Sequence, residues 1–331
     1  MPGHLTLTEG ETDQLKPVSY SHDNGVNIHG TEVVAPARSL LKAVEAYGQV
    51  VLNYVEVLKP RETSLIAFIG ISSAFIAGEA HLPPDRLMLI LAAILLGSAG
   101  VNGLTNYMDR HVDARMRRTS HRALASRRIQ PAEKVLPLTA LLVAAGLVLS
   151  WQLHPLVFFV ALVGTVAALA WRKRWTCVFP QGILASCAPV LMGWFAVRPV
   201  FSWPLFLLCL LVAVWLPLHL WSVMIAHRED YLGAGIRYFP VSQETGKTVK
   251  LLFALSLALY VASLAAYFIG GFHWLYLVLC NLLGGVLLYT SLRLARSASS
   301  QNSWRLYKIS AFPYMGLLFL AMCLDTWLLS G

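Results

Sequence analysis

The chain has 331 residues, of which 57% are hydrophobic and 13% charged, about half the charge fraction of a soluble domain. With a mean hydropathy of +0.61, that composition excludes an ordinary soluble globular protein and points to a polytopic membrane protein. The formal net charge of +9 bears on orientation in a lipid bilayer, and no nucleic-acid partner is expected.

Residues 1–40 are polar and include Glu9, Glu11, Asp13 and Asp23. They lack the apolar core of a secretory signal, and their acids argue against a transit peptide, so a disordered tail is expected. Residues 41–62 form an amphipathic segment suited to the membrane interface. Residues 63–331 make up the membrane domain. Apolar stretches near 64–82, 86–107, 135–153, 155–171, 179–197, 203–226, 249–270, 273–292 and 307–329 approach the roughly 20 residues needed to cross a bilayer. Strand alternation is absent, which leaves helices as the spanning element. The fold class expected is therefore an all-α bundle of about nine transmembrane helices.

The loops alternate in charge. Of the 26 Lys and Arg residues, only Arg86 and Arg198 fall on one side. The other 24 place the N-terminus and the even loops in the cytoplasm by the positive-inside rule, with the plasma or inner membrane as the expected location. The five cysteines, Cys177, Cys187, Cys209, Cys280 and Cys323, show no metal-ligand spacing and no disulfide pattern. They read as small packing residues.

At the end of the second apolar stretch stand Asn106, Asp109 and Asp113. Positions i, i+3 and i+7 share a helix face. Two carboxylates and an amide then converge where a membrane segment meets water, an oxygen set suited to Mg²⁺, which binds through one or two carboxylates plus substrate phosphates. A salt-bridged helix end, Asp109 with Arg110 or Arg115, is the plainer alternative. A second acidic place, His227-Arg228-Glu229-Asp230-Tyr231, follows span six on the same side. Two acidic patches followed by arginines suit allylic diphosphate ionisation, in which Mg²⁺ and Arg groups neutralise the leaving group and an apolar bundle shields the cation from water. No nucleophilic Ser or Cys arrangement is present.

These motifs resemble the UbiA-type intramembrane prenyltransferases, and within them the farnesyltransferases that act on protoheme. Four places carry the likeness: Tyr54-Val55-Glu56-Val57-Leu58-Lys59-Pro60-Arg61; Asn106 through Arg122 and on to Ile129-Gln130-Pro131; Pro217-Leu218-His219-Leu220-Trp221; and Asp230-Tyr231 with Ala234-Gly235-Ile236 and Phe239-Pro240-Val241. The resemblance covers about residues 51–330. It departs from the family pattern at Arg122-Ala123, where an Arg-Pro is usual, across Trp175–Gln181, and at Ile236–Pro240.

The resemblance implies that Asn106, Asp109, Asp113 and, at the second acidic site, Asp230 hold Mg²⁺ and diphosphate, with Asp109, Asp113 and Asp230 as the catalytic carboxylates. Arg117, Arg118, Arg122, Lys173 and Arg174 become candidate diphosphate clamps, since Arg suits bidentate phosphate contact; Arg118 and Arg122 lie at the matching positions. Lys59 and Arg61 are further candidates, with snorkelling at the membrane boundary as the alternative. His219, Trp221 and Tyr231 are the candidate acceptor pocket. For His219, an ionisable residue inside a span, a haem contact and a hydrogen-bonded interhelical role both fit. Asn281 is assigned to helix packing and Asp325 to the outer interface. The implied substrates are farnesyl diphosphate and haem b, giving haem O, with contact to a haem A synthase or terminal oxidase assembly. Two other readings stay open: a quinone-precursor or other aromatic acceptor, and an ion-coupled transporter. Transporter sites usually lie near the bilayer midplane, whereas these acids cluster at the cytoplasmic ends of spans two and six.

Overall fold

A computed structural model describes residues 34–170 and 178–329. The chain divides into two units, Met1–Gly48 and Gln49–Gly331. Among the described residues every regular element is helical. Helix α1 covers Val34–Val57, so helix begins within the stretch 1–40 expected to be disordered; residues 1–33 lie outside the described residues.

Lys59, at a left-handed φ of 51°, turns the chain between α1 and α2 (Pro60–Ala77), and Pro60 suits a first helical position, where no N–H is needed. The order continues with α3 (Pro84–Asp113), α4 (Leu136–Leu153), α5 (Pro155–Leu169), α6 (Gln181–Phe195), α7 (Trp203–Ala226), α8 (Arg228–Gly233), α9 (Thr245–Gly270), α10 (Trp274–Arg296), α11 (Ser300–Ile309) and α12 (Leu317–Leu329). A kink at Ser310–Gly316, where Ala311 leaves helical geometry (ψ −131°), joins the last two around Pro313.

Each of the nine expected stretches overlaps helix, but among the described residues six helical segments are long and apolar enough to span a bilayer. They are Pro84–Asp113, Ala132–Leu153, Trp203–Ala226, Thr245–Gly270, Trp274–Arg296 and Ser300–Leu329. The apolar helices α5 and α6 have 15 residues each, about 22 Å at 1.5 Å per residue, short of the roughly 30 Å hydrocarbon core. Helix α2 spends its first turn on the polar run Arg61, Glu62, Thr63 and Ser64.

The bundle packs by close approach of small residues, as membrane helices do in the absence of a hydrophobic driving force between them. Helix α2 lies on α6, and a Cβ placed on Gly193 would stand 2.0 Å from the Gly70 carbonyl oxygen. A polar cap serves α10 from another helix. Asp325 of α12, fully buried, accepts from the backbone N–H groups of His273 (2.6 Å) and Tyr276 (2.9 Å). The position expected at the outer interface is thus an interior cap, because the first turn of α10 has no side chain of its own to satisfy its donors. Asn281 accepts from Tyr260 Oη at 2.6 Å and ties α10 to α9, in line with its expected packing role.

Candidate active site

The last turns of α3 carry Asn106, Asp109 and Asp113 on one face, all three buried (5%, 4% and 1% exposed). Buried charge needs partners, and the chain supplies them by folding the loop after α3 back over the helix end. Thr119 Oγ1 donates to the Asp113 carbonyl oxygen at 3.0 Å, and Arg122 Nη1 donates to Asp113 Oδ2 at 2.9 Å. Arg122 is therefore an ion-pair partner of Asp113. Arg110 sits instead over the Tyr107 ring, 3.9 Å from its centroid, and reaches toward Glu133. Asn106 Nδ2 donates to the Val57 carbonyl oxygen at 2.9 Å, which leaves Oδ1 as the amide atom suited to a cation.

The same loop is pinned to the end of α1. Glu56 Oε1 accepts the Ala123 N–H at 3.1 Å, and its Oε2 pairs with Arg128. Arg128 also donates to Asn53 Oδ1 and to the His121 carbonyl oxygen. Beneath these contacts Val57, Ala123, Leu124, Ile129 and Val135 form an apolar cluster. The departure at position 123 has a structural use here, since proline would bring no N–H for Glu56. The sequence reading left Glu56, Asn53 and Arg128 without a role. The one available signal was the acidic Glu56 inside the Tyr54–Arg61 motif, because pairing across 72 residues cannot be read from spacing.

The second acidic place joins the first. Asp230, on α8, accepts from the backbone N–H of Arg117 (Oδ1, 2.7 Å) and of Arg118 (Oδ2, 3.1 Å). Arg118 Nη2 donates to Tyr231 Oη at 3.3 Å. Met116, fully buried, anchors the turn among Met224, Tyr231, Ile236 and Val241. Gly235, at φ 84°, ends this short element with a left-handed residue that lets Ile236 N–H close back on the Tyr231 carbonyl oxygen. Asp230 thus fixes the arginine turn beside the α3 carboxylates. Among the described residues no three Asp, Glu, His or Cys side chains converge on one metal position. The α3 set is two carboxylates and an amide, which suits a small hard cation whose remaining positions go to water and phosphate.

Arg115, Arg117, Arg118, His227, Arg228 and Asp230 border a cavity of about 790 Å³. Burial, and then the Arg118 charge, pull the His227 imidazole below its ordinary range, against an opposing pull from Asp230. A second, mostly apolar cavity of about 170 Å³ runs along α3 from Ala93 to Asn102 and is lined also by small residues of α4, α5 and α6. Of the expected acceptor residues, Tyr231 is buried beside Arg118 and Trp221 packs its ring edge on Phe239 at 4.6 Å. His219 lies stacked between Trp215 (4.9 Å) and Tyr307 (4.4 Å), with Nδ1 3.1 Å from Ser310 Oγ. That geometry fits the interhelical hydrogen-bonded role. Lys173 and Arg174 lie outside the described residues.

The family model described as the UbiA prenyltransferase family matches residues 64–320. A protoheme IX farnesyltransferase of Desulforudis audaxviator is 34% identical over 284 residues, covering 83% of this chain and 88% of that protein. One of Gloeobacter violaceus is 32% identical over 280 residues, covering 83% and 92%. Among solved structures, a digeranylgeranylglyceryl phosphate synthase shares the fold with a TM-score of 0.68 at 17% identity, over 83% of this chain and 98% of that one. A UbiA homolog from Archaeoglobus fulgidus bound to GPP and Mg²⁺ does so with a TM-score of 0.57 at 14% identity, over 82% and 99%. A buried carboxylate pair on α3, bound through Arg122 to its own loop and through that loop to Asp230, thus sits in a chain that belongs to the UbiA prenyltransferase family.

Proposed function

We propose that the chain is a protoheme IX farnesyltransferase, moving the farnesyl group of farnesyl diphosphate to a vinyl group of haem b to give haem O and diphosphate. The observation that carries this reading is the buried Asn106–Asp109–Asp113 face, covered by an arginine turn that Asp230 holds in place. The names and identities of the relatives support the acceptor.

Asn106, Asp109 and Asp113 would hold Mg²⁺, which when bound supplies Lewis-acid neutralisation of the leaving diphosphate. Arg118 and Arg122 add fixed positive charge on the phosphate oxygens, worth most where water is excluded. Arg122 already pairs with Asp113, so the clamp and the carboxylate keep their relative position before substrate arrives. Asp230 acts by setting the backbone of Arg117 and Arg118, with both carboxylate oxygens engaged there.

The allylic C–O bond breaks heterolytically and its electron pair leaves with the diphosphate. The vinyl π electrons form the new C–C bond. Water then adds to the resulting cation and releases a proton, leaving a hydroxyethylfarnesyl side chain. The apolar crevice along α3 gives the isoprenoid chain a dry environment and delays capture of its cation by water.

The charge split of the loops supports nine spans with a cytoplasmic N-terminus and a site that opens to the cytoplasm at the plasma or inner membrane. Purified protein supplied with farnesyl diphosphate, haem b and Mg²⁺ should form haem O, read by mass spectrometry. Prenylation of a phenolic acid with none of haem would refute the acceptor.

A further inference from the structure

The cavity bordered by Arg115, Arg117, Arg118, His227 and Arg228 is rich in hydrogen-bond donors. Arg115 and Arg117 point no guanidinium at an acidic partner among the described residues. Arg118 Nε and His227 Nε2 are buried without a hydrogen-bond partner. Arg228 is held by its Nε to the Val241 carbonyl oxygen at 3.0 Å, which leaves its terminal nitrogens free of that tether. Two carboxylates border this wall, Glu229 and Asp230, and Asp230 already serves two backbone N–H groups. Buried donors without partners are costly, and here they gather at the wall of a space of about 790 Å³, within the range of small-molecule sites.

A row of aromatic side chains adjoins this wall at His227. From His227 an aromatic ladder leads into the bundle. The His227 ring meets Trp304 edge-on at 5.1 Å, Trp304 stacks on Tyr307 at 4.8 Å, and Tyr307 stacks on His219 at 4.4 Å. Of these rings only His227 borders the cavity, and the arginine donors along its wall suit a molecule with anions along one edge. The diphosphate is a poorer match, since Asn106, Asp109, Asp113 and Arg122 do not border this cavity.

Resting on the proposed function, we infer that Arg115, Arg117, Arg118 and His227 form the subsite for the two propionate carboxylates of the haem acceptor. Haem carries both carboxylates on one edge and its vinyl groups elsewhere on the ring. Anchoring that edge directs the vinyl side away from the arginines and toward the farnesyl donor. Arg118 borders both places and sets their separation.

The test compares haem b with its dimethyl ester, using the full-length protein in detergent with Mg²⁺ and farnesyl diphosphate. Arg115, exposed on its loop, is the variant of choice. Arg115→Gln should raise the KM for haem b by about tenfold or more, the loss of one charge-assisted contact. Arg115→Lys should recover most of it. The KM for farnesyl diphosphate should stay unchanged in both. With the dimethyl ester the wild-type KM should already be raised, and Arg115→Gln should add little. Equal handling of acid and ester by the wild type would remove the subsite while leaving haem O formation intact, as would a rise in the farnesyl diphosphate KM alone. Absence of any turnover with haem b would take away the proposed acceptor, and the subsite with it.

Discussion

The proposed chemistry rests most on Asp113. It is 1% exposed, pairs with Arg122 and anchors the loop through its backbone carbonyl oxygen. Asp113→Asn keeps the shape and removes the charge. Turnover of farnesyl diphosphate with haem b should fall by about 10²–10³, the scale of losing one electrostatic stabiliser, while membrane insertion and expression match the wild type; near-normal turnover would end its role as a cation ligand. Glu56 tests the scaffold beneath. Glu56→Ala leaves the Ala123 N–H and the Arg128 guanidinium without their acceptor, at a cost of roughly 1–3 kcal/mol for a partly buried group. A lower melting temperature in detergent is expected. The carboxylate face was legible because helix geometry converts i, i+3, i+7 spacing into one surface. The Glu56–Arg128 pair was not, since only the folded chain brings residues 56 and 128 together.

At the scale of elements, the helices were legible from hydropathy and their ends less so. Helix α3 is continuous from Pro84 to Asp113 and carries apolar membrane residues and the site on one rod. Helices α5 and α6 have 15 residues each, fewer than their apolar runs, because an apolar run marks where a chain avoids water and does not fix where helical hydrogen bonding begins. The cap on α10 by Asp325 was hidden for a related reason, since an acid near the end of the last apolar stretch reads as an interface residue until its two backbone donors are seen. The α2–α6 contact offers a packing test. Gly193→Ala would push a methyl group into the Gly70 carbonyl, and the helices must part or shift. Overpacking of this kind costs about 1–3 kcal/mol, read as a fall in the unfolding midpoint. An unchanged midpoint would mean that the two helices do not approach so closely.

Across the whole molecule, the two acidic motifs meet through one loop. Asp230 is 117 positions after Asp113, yet its carboxylate holds the backbone of Arg117 and Arg118, four and five residues beyond α3. The sequence placed both motifs on one side of the membrane by charge and left open how they touch. Chelation of divalent cations with EDTA should stop turnover, and added Mg²⁺ should restore it. The folded state should persist throughout, because its contacts near Asp113 run through Arg122 and Thr119. Unfolding on chelation would give the cation a structural role.

The most direct measurement of the central claim is the mass of the product formed by purified protein, farnesyl diphosphate, haem b and Mg²⁺. The expected product is haem b carrying one added farnesyl group and one added hydroxyl group, with diphosphate released in equal amount. Unaltered haem b, together with prenylation of an aromatic acid under the same conditions, would contradict it.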